Sequence, residues 1–275
     1  MYLMLKNNIV AQFSFEPLLW QVYNQQLLPF ALQGNNINIF SVHTWCLNRV
    51  LNLSRSNAKK IISSVGLDQN DKLQMCLFCK GLSLTDCYWI KLENSKDTWE
   101  TVNLYTNHLN NVIAHVALTG EYVSIQGHIR TPELTGGGSY AKCWRHGKDG
   151  LYLYKAPSIQ GNGKEHLIEV FCSDLLDRLD VKHVKYNLAD AAGLRKVSRC
   201  KAITSENISI CEMTDFIGYC NRNNINFYTW VTQYPDFYKM LIVDYIMFNS
   251  DRHSGNWGIL YNSNTIEILG LHPFI

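Results

Sequence analysis

A polar segment between two apolar stretches is the feature that most constrains the carboxyl end of this chain. Asn249–Asn256 follows a run with helical spacing, Lys239–Phe248, and precedes two strand-like runs, 257–261 and 266–269, that predict a hairpin. The predicted helix places three apolar side chains on one face: Leu241, Tyr245 and Phe248. A polar loop held between two core elements is rigid, and a rigid loop can hold chemical groups in fixed positions.

The polar segment carries a carboxylate and an amide five residues apart, Asp251 and Asn256. The same spacing occurs in protein kinase catalytic loops, where the Asp accepts the substrate hydroxyl proton and the Asn binds magnesium. His253 lies between them and is a candidate general base, but we expect its ring to support the loop instead. A metal-dependent hydrolase built on His253 is a weaker alternative, because no companion ligands lie nearby in the sequence.

The composition limits the classes of function. The 275 residues are 47% hydrophobic and 17% charged, with a net charge of +2, so one large or two modest domains are expected. This charge gives no broad attraction for nucleic acids or membranes. No apolar run approaches the roughly 18 residues of a membrane span, and the first residues do not resemble a secretory signal. These features predict neither membrane association nor direct nucleic-acid binding.

The nine cysteines are an odd number in a long chain, which predicts free thiols and a cytoplasmic location. Cys76 and Cys79, with Cys87 nearby, have the spacing of a metal-binding pair. A zinc site needs a fourth ligand, and His108 and His115 are too scattered to supply it convincingly. We therefore expect apolar thiols in a buried segment.

Residues 1–125 predict a mixed α/β region of unknown role. A strand pair is expected across the turn at residues 6–8. The apolar spacing also predicts three helices, over residues 41–51, 56–65 and 98–118. Ser54 is the predicted N-cap of the second helix, and Gly66 and Gly120 end the second and third helices. The first two helices could form a helix-turn-helix, although packing of a core is the favoured interpretation.

The second predicted domain, 126–275, begins in a glycine-rich stretch. Gly136, Gly137 and Gly138 allow the backbone to approach a phosphate closely, although a glycine run can also be a plain linker. The next run, 150–155, is rich in β-formers and predicts a strand ending in Lys155. A lysine there can bind nucleotide phosphates or simply extend into solvent.

An amphipathic helix is predicted over residues 164–179. Its apolar face consists of Ile168, Phe171, Cys172, Leu175 and Leu179. Glu169 borders that face and could pair with Lys155, as a helix glutamate does in kinases, while Glu165 is an alternative partner. Farther on, an alternating run predicts a strand that could supply backbone groups to adenine; the candidates are Cys211, Glu212 and Met213.

The order of these features is that of a two-lobed kinase, and agreement among independent features favours this interpretation. Over residues 249–258 the chain resembles the HipA-like serine/threonine kinases, which place Arg and His after the catalytic Asp, as in Arg252 and His253. The resemblance extends over roughly residues 133–275. It implies an α+β, bilobal protein-kinase-like fold with a small β-rich lobe and an incomplete helical lobe, preceded by the α/β amino-terminal region.

The resemblance also implies roles for individual residues, with ATP and Mg²⁺ as cofactors. Asp251 is the expected catalytic base and Asn256 the expected magnesium ligand. Lys155, Glu169 and the glycines are expected at the ATP phosphates, and the backbone near Glu212 and Met213 at adenine. Thr135 or its neighbour Ser139 is the expected autophosphorylation site. The expected substrate is a protein Ser or Thr, and a phosphoinositide or another small molecule is the open alternative. An antitoxin-like DNA-binding protein is a candidate partner.

In the HipA-like family a second metal-binding Asp follows a strand, Pro and one or two apolar residues. Residues His272–Ile275 match the Pro and apolar residues that precede this Asp, and the given sequence ends there. The expectation is therefore a kinase that is truncated, with weak or no turnover. The alternative function is a non-catalytic, pseudokinase-like module that contacts protein or DNA.

Overall fold

A computed structural model describes residues 1–127, 129–158, 163–191 and 194–272, without the side chains of residues 194 and 195. Of the segment His272–Ile275, predicted to lead to a metal-binding Asp, residues 273–275 lie outside the described residues. In chain order the elements are β1 (Tyr2–Leu5), β2 (Asn8–Phe15), β3 (Leu18–Val22), α1 (Ile39–Asn48), α2 (Ala58–Ser64), α3 (Lys72–Phe78), β4 (Tyr88–Lys91), α4 (Trp99–Val102), α5 (Asn111–Thr119), β5 (Lys142–Gly147), β6 (Gly150–Lys155), α6 (Glu165–Arg178), β7 (Tyr186–Ala191), β8 (Leu194–Lys201), β9 (Ile208–Glu212), α7 (Met213–Arg222), α8 (Phe227–Val231), α9 (Pro235–Ile246), β10 (Gly258–Asn262) and β11 (Ile268–Leu271). Among these described helices, none is long and apolar enough to cross a membrane.

The described chain divides into two compact units. Unit 1 contains Met1–Trp45, Thr85–Lys96 and the described residues from Thr204 onward, and unit 2 contains Cys46–Leu84 and Asp97–Ile203. Segments from both sides of residue 125 take part in each unit. The functional division between residues 125 and 126 stays a prediction.

Unit 1 contains two antiparallel sheets. The first has the strand order β3-β2-β1-β4, with Leu3 opposite Ala11 in β2 and Ile90 in β4. The second has the order β11-β10-β9, with Gly258 opposite Glu212. Helix α7 adds three buried side chains to the core of this unit: Met213, Phe216 and Cys220. The polar segment 249–256 thus leads directly into a strand that pairs with β9.

Unit 2 contains one antiparallel sheet with the order β5-β6-β8-β7. Its register places Lys155, the last residue of β6, opposite Ser198 of β8. Helix α6 packs on β7 and β8. A small core of Val184, Tyr186 and Cys200 lies beneath it, with Leu153 and Val170 packed alongside. The sheet and α6 therefore position the residues that flank the end of β6.

Most predicted elements are present. The hairpin β1–β2 surrounds the predicted turn at residues 6–8, and β6, β9, β10 and β11 overlap the other predicted strands. Helices α1, α2, α6 and α9 overlap predicted helices, and Gly120 ends α5 with a φ of 74°. Strong periodicity bounded by turn residues is the signal that these segments share.

The single helix predicted over residues 98–118 is wrong. The structure has two helices there, α4 and α5. Between them, Oδ1 of Asn103 accepts the N–H groups of Tyr105 and Thr106 at 3.0 and 2.9 Å, and Asn110 caps α5. Asparagine side chains that bond to nearby backbone groups compete with helix continuation. Ser54 was also the wrong N-cap, because α2 begins after Asn57, whose φ is 65°.

In two helices the apolar face identified from the sequence is not the buried face. In α6 the buried side chains are His166, Ser173 and Leu176, whereas Phe171 of the predicted face is 68% exposed. In α9 the buried side chains are Met240 and Val243, whereas Tyr245 is 85% exposed and nearby Phe248 is 92% exposed. Apolar residues occupy more than one side of each helix, so spacing alone does not identify the packed side.

Candidate functional site

Lys155 and Glu169 form an ion pair in unit 2. The Nζ atom of Lys155 donates to Oε1 of Glu169 at 2.7 Å, and the two side chains are 19% and 20% exposed. Strand β6 and helix α6 thus bring the predicted pair together. The alternative partner, Glu165, instead accepts the N–H of Ser158 at 3.2 Å.

Two hydroxyl groups that sequence reasoning missed complete this cluster. The hydroxyl of Tyr186 accepts a second hydrogen bond from Lys155 Nζ at 2.8 Å, and Nζ lies 4.9 Å from the centre of the Tyr186 ring. The hydroxyl of Ser198 donates to the other carboxylate oxygen of Glu169. Ser198 faces this pair because of the β6–β8 register, which the local sequence pattern does not reveal.

The glycine segment precedes strand β5. Gly136 and Gly138 have φ values of 82° and 86°, a left-handed conformation that favours glycine. The ammonium of Lys142 donates to the carbonyl of Gly137. A Cβ atom on Gly138 would lie 2.7 Å from Nζ of Lys142, so a larger residue would displace that side chain. Gly137 and Gly138 are exposed, as a loop that binds phosphate through its backbone requires.

The two predicted autophosphorylation sites flank these glycines and differ in access. Thr135 is buried, and its hydroxyl donates to the carbonyl of Pro132 at 2.8 Å. Ser139 is exposed, and its carbonyl accepts the N–H and the hydroxyl of Ser56 at 2.8 and 3.0 Å. In this conformation the hydroxyl of Ser139 is the more accessible of the two.

A buried ion pair, which sequence reasoning also missed, lies at the base of the glycine segment. Nη2 of Arg55 contacts Oε2 of Glu133 at 2.9 Å, with the side chains only 2% and 1% exposed. Arg55 also donates to the carbonyls of Glu133 and Lys142, while Oε1 of Glu133 accepts the N–H of Trp144 at 2.7 Å. Burial raises the pKa of Glu133, and Arg55 and the Trp144 amide oppose that rise.

Hydrogen bonds among its own polar groups connect the two ends of the loop from Asp251 to Asn256. The side-chain amide of Asn256 donates to the carbonyl of Asp251, and its Oδ1 accepts the N–H of His253 at 3.2 Å. Nδ1 of His253 accepts the N–H of Gly255 at 3.1 Å, which agrees with the expected supporting role of this ring. Asp251 and Asn256 are both exposed, so the structure holds these two predicted residues together at the surface of unit 1.

An arginine anchors this loop to helix α9. Nε and Nη2 of Arg252 donate to the two carboxylate oxygens of Asp244, each at 2.8 Å, and Asn249 donates to the same carboxylate at 2.8 Å. Burial works to raise the pKa of Asp244, but the hydrogen bonds from Arg252 and Asn249 outweigh it and hold the pKa below its usual value. A two-point arginine–carboxylate contact fixes direction as well as distance.

The end of β9 meets the strand that follows the loop. The N–H of Met213 donates to the carbonyl of Trp257 at 2.9 Å. A Cβ atom on Gly258 would lie 2.1 Å from the carbonyl oxygen of Cys211, so this approach requires glycine. The backbone of Glu212 and Met213, which is predicted to bind adenine, therefore lies in a closely packed segment. The N–H of Met213 in this segment already donates to Trp257.

No family model and no curated protein sequence matches the chain. Among solved structures, the chain is similar to HipA of Shewanella oneidensis MR-1, determined as a toxin–antitoxin complex with HipB and operator DNA. The identity is 11%, the match covers 100% of this chain and 75% of that chain, and the TM-score is 0.61. The chain has a HipA-like kinase fold. This confirms the predicted fold class; an identity this low shows the fold alone.

A second solved structure is the proinflammatory kinase CtkA of Helicobacter pylori. It shares 20% identity with the chain over 51% of this chain, with a TM-score of 0.41. The match covers 54% of CtkA, about half of that protein's length.

Within the HipA-like fold, the predicted site residues fall into two groups. Lys155, Glu169 and the glycine segment belong to unit 2, whereas Asp251 and Asn256 belong to unit 1 with Glu212 and Met213. Among the described residues, no group of three or more His, Cys, Asp or Glu side chains is placed to hold a metal ion. A cavity of about 130 Å³ in unit 2, lined by Lys80, Asp97 and Arg130 among others, contains none of the predicted site residues.

Proposed function

We propose that the chain is an ATP-dependent kinase of HipA-like type, which transfers a phosphoryl group to a Ser or Thr hydroxyl of a protein. The observation that best supports this proposal is the state of Lys155. An ammonium has three N–H bonds, and within the described part of the chain Glu169 and Tyr186 accept two of them. The third N–H and the partial exposure of the side chain are suited to a phosphate oxygen.

The other residues take complementary roles in this proposal. The exposed carboxylate of Asp251 accepts the proton of the substrate hydroxyl, and the backbone N–H groups of the glycine segment contact the phosphates. Asn256 suits a magnesium ligand, because its side chain is exposed and its Oδ1 keeps a second lone pair beside the bond from His253. When bound, magnesium neutralises phosphate charge. Backbone groups near Glu212 remain the proposed contacts for adenine.

The proposed partners follow from the same similarity. Because the matched HipA structure is a complex with HipB and operator DNA, we propose an antitoxin-like DNA-binding protein as a partner, with no direct contact between this chain and nucleic acid. All nine cysteines are free thiols, which fits the cytoplasmic location that we propose.

Phosphate transfer from radiolabelled ATP tests the proposed function. We expect weak Mg²⁺-dependent labelling of the chain itself, at Ser139 or Thr135, or of a generic Ser/Thr substrate such as casein. Asp251→Asn should reduce labelling by about 100-fold or more, the size of a general-base effect. Asp236→Asn, at an exposed carboxylate on α9, is the matched control and should retain labelling.

Equal labelling by the wild type and Asp251→Asn would contradict the assigned role of Asp251. ATP binding without any Asp251-dependent labelling would instead favour the non-catalytic, pseudokinase-like module.

A further inference from the structure

The cluster around Lys155 has features that a simple ion pair does not need. Tyr186 is 2% exposed and Ser198 is completely buried, yet both direct their hydroxyl groups at the partly exposed pair. Buried hydroxyl groups require hydrogen-bond partners, and here the partners are the two charged groups themselves.

Tyr186 is suited to hold an ammonium. Burial raises the pKa of its phenol well above the usual value, so the group is neutral and its oxygen accepts the hydrogen bond from Lys155 at 2.8 Å. The ring lies 4.9 Å from Nζ, within the range of cation–π attraction. Both contacts act on the ammonium, so together they limit the positions that the flexible lysine side chain can occupy.

Tyr186 is itself held in place by a chain of hydrogen bonds. The carbonyl of Val181 can only accept, so Nδ1 of His183 donates to it at 2.8 Å, and in the neutral ring Nε2 accepts from the hydroxyl of Ser173 at 3.0 Å. The oxygen of Ser173 in turn accepts the backbone N–H of Tyr186 at 3.0 Å. Helix α6 and strand β7 are thereby joined beside the Lys155–Glu169 pair.

Ser198 limits the positions of the Glu169 carboxylate, as Tyr186 limits those of the Lys155 ammonium. Its hydroxyl donates to one oxygen of Glu169 while Lys155 donates to the other. With both oxygens engaged, rotation of the carboxylate would break at least one hydrogen bond. A group whose position is fixed before ligand binding loses less conformational freedom when the ligand arrives.

We propose that Tyr186 and Ser198 are positioning residues that hold Lys155 and Glu169 in the arrangement that binds the nucleotide phosphates. This inference rests on the proposed function, since it concerns the same ATP site. It assigns the two hydroxyl groups to phosphate binding rather than to stability alone.

Calorimetric binding of ATP with Mg²⁺ and of adenosine tests this assignment. Tyr186→Phe keeps the ring and removes only the hydroxyl, and Ser198→Ala removes the second hydroxyl. Each should weaken ATP binding by roughly threefold to tenfold, the range for one hydrogen bond, and leave adenosine binding within about twofold of wild type. The control is Tyr152→Phe on β6, whose hydroxyl contacts exposed Asp149 and should affect neither ligand.

Three results would overturn the inference. Unchanged ATP affinity in both variants would contradict the inference. Equal weakening of ATP and adenosine binding would also contradict it, because it would indicate a purely structural role. Neither result would affect the proposed function. Failure of the wild type to bind ATP would remove the proposed function and this inference together.

Discussion

Arg55–Glu133 and Lys155–Glu169 are similar ion pairs in the same unit, with contact distances of 2.9 and 2.7 Å, but their surroundings differ. The first pair is 2% and 1% exposed, and backbone groups of Trp144 and Lys142 bond to Oε1 of Glu133 and to Nη2 of Arg55. The second pair is about one-fifth exposed, and within the described residues its ammonium donates to Glu169 and to the hydroxyl of Tyr186. Exposure and hydrogen-bonding surroundings, not charge type, therefore separate the pair that fixes structure from the pair that we propose binds a nucleotide.

The largest expected effect is on the buried pair. Arg55→Met should lower the free energy of unfolding by about 3–5 kcal/mol, because it leaves the buried carboxylate of Glu133 without its partner. Urea denaturation at neutral pH measures this. The same change at the partly exposed pair, Lys155→Met, should lower it by only about 1–2 kcal/mol. Equal losses at the two positions would remove the distinction between the pairs.

An intermediate effect is expected at the anchor of the Asp251 loop. Arg252 and Asp244 are 15% and 11% exposed. Arg252→Met should lower the free energy of unfolding by about 1.5–3 kcal/mol, the range for hydrogen bonds to a charged group. Protease cleavage near residues 249–256 should also become faster, because the loop loses its link to α9. A loop that remains resistant to protease in this variant would show that Arg252 is not its anchor.

The same carboxylate predicts a dependence on pH. The pKa of Asp244 is lower in the folded protein than its usual value of 3.8, so the unfolded chain binds the proton more readily. The stability from this group is therefore complete well above pH 3.8 and is lost as the pH falls through the folded pKa. Urea midpoints of wild type and Asp244→Asn should converge as the pH falls through that range, and a constant difference would contradict the assignment.

The smallest effect is expected at an exposed pair on the same sheet as Lys155. Lys201 contacts Asp149 at 2.8 Å, with side chains 52% and 62% exposed. Lys201→Met should change the free energy of unfolding by less than any of the substitutions above, as is usual for surface ion pairs. A larger loss in urea denaturation would mean that exposure does not rank these pairs.

The sequence was sufficient to predict β6, α6, β9, α9 and the β10–β11 hairpin in their observed order, and the pairing of Lys155 with Glu169. Each depends on local periodicity, on turn residues or on the spacing of a known motif. The face of α6 was not predictable in the same way, because buried Ser173 and His166 interrupt its apolar pattern and depend on partners in other elements. Sequence alone does not reveal which polar residues will find such partners.

The supporting residues of the site were missed for the same reason. Tyr186 and Ser198 belong to strands that carry no motif, and they reach Lys155 and Glu169 only through the sheet register and the packing of α6. Arg55 lies 78 residues before Glu133 in the chain, a separation that no local pattern can bridge.

ATP binding by isothermal titration in the presence of Mg²⁺ tests the central assignment, that Lys155 holds the nucleotide phosphates. The account predicts measurable binding by the wild type and by Lys201→Met, and at least a tenfold loss in Lys155→Met, as expected when a charge-assisted hydrogen bond to phosphate is removed. Absence of wild-type binding, or equal affinity in Lys155→Met, would contradict it.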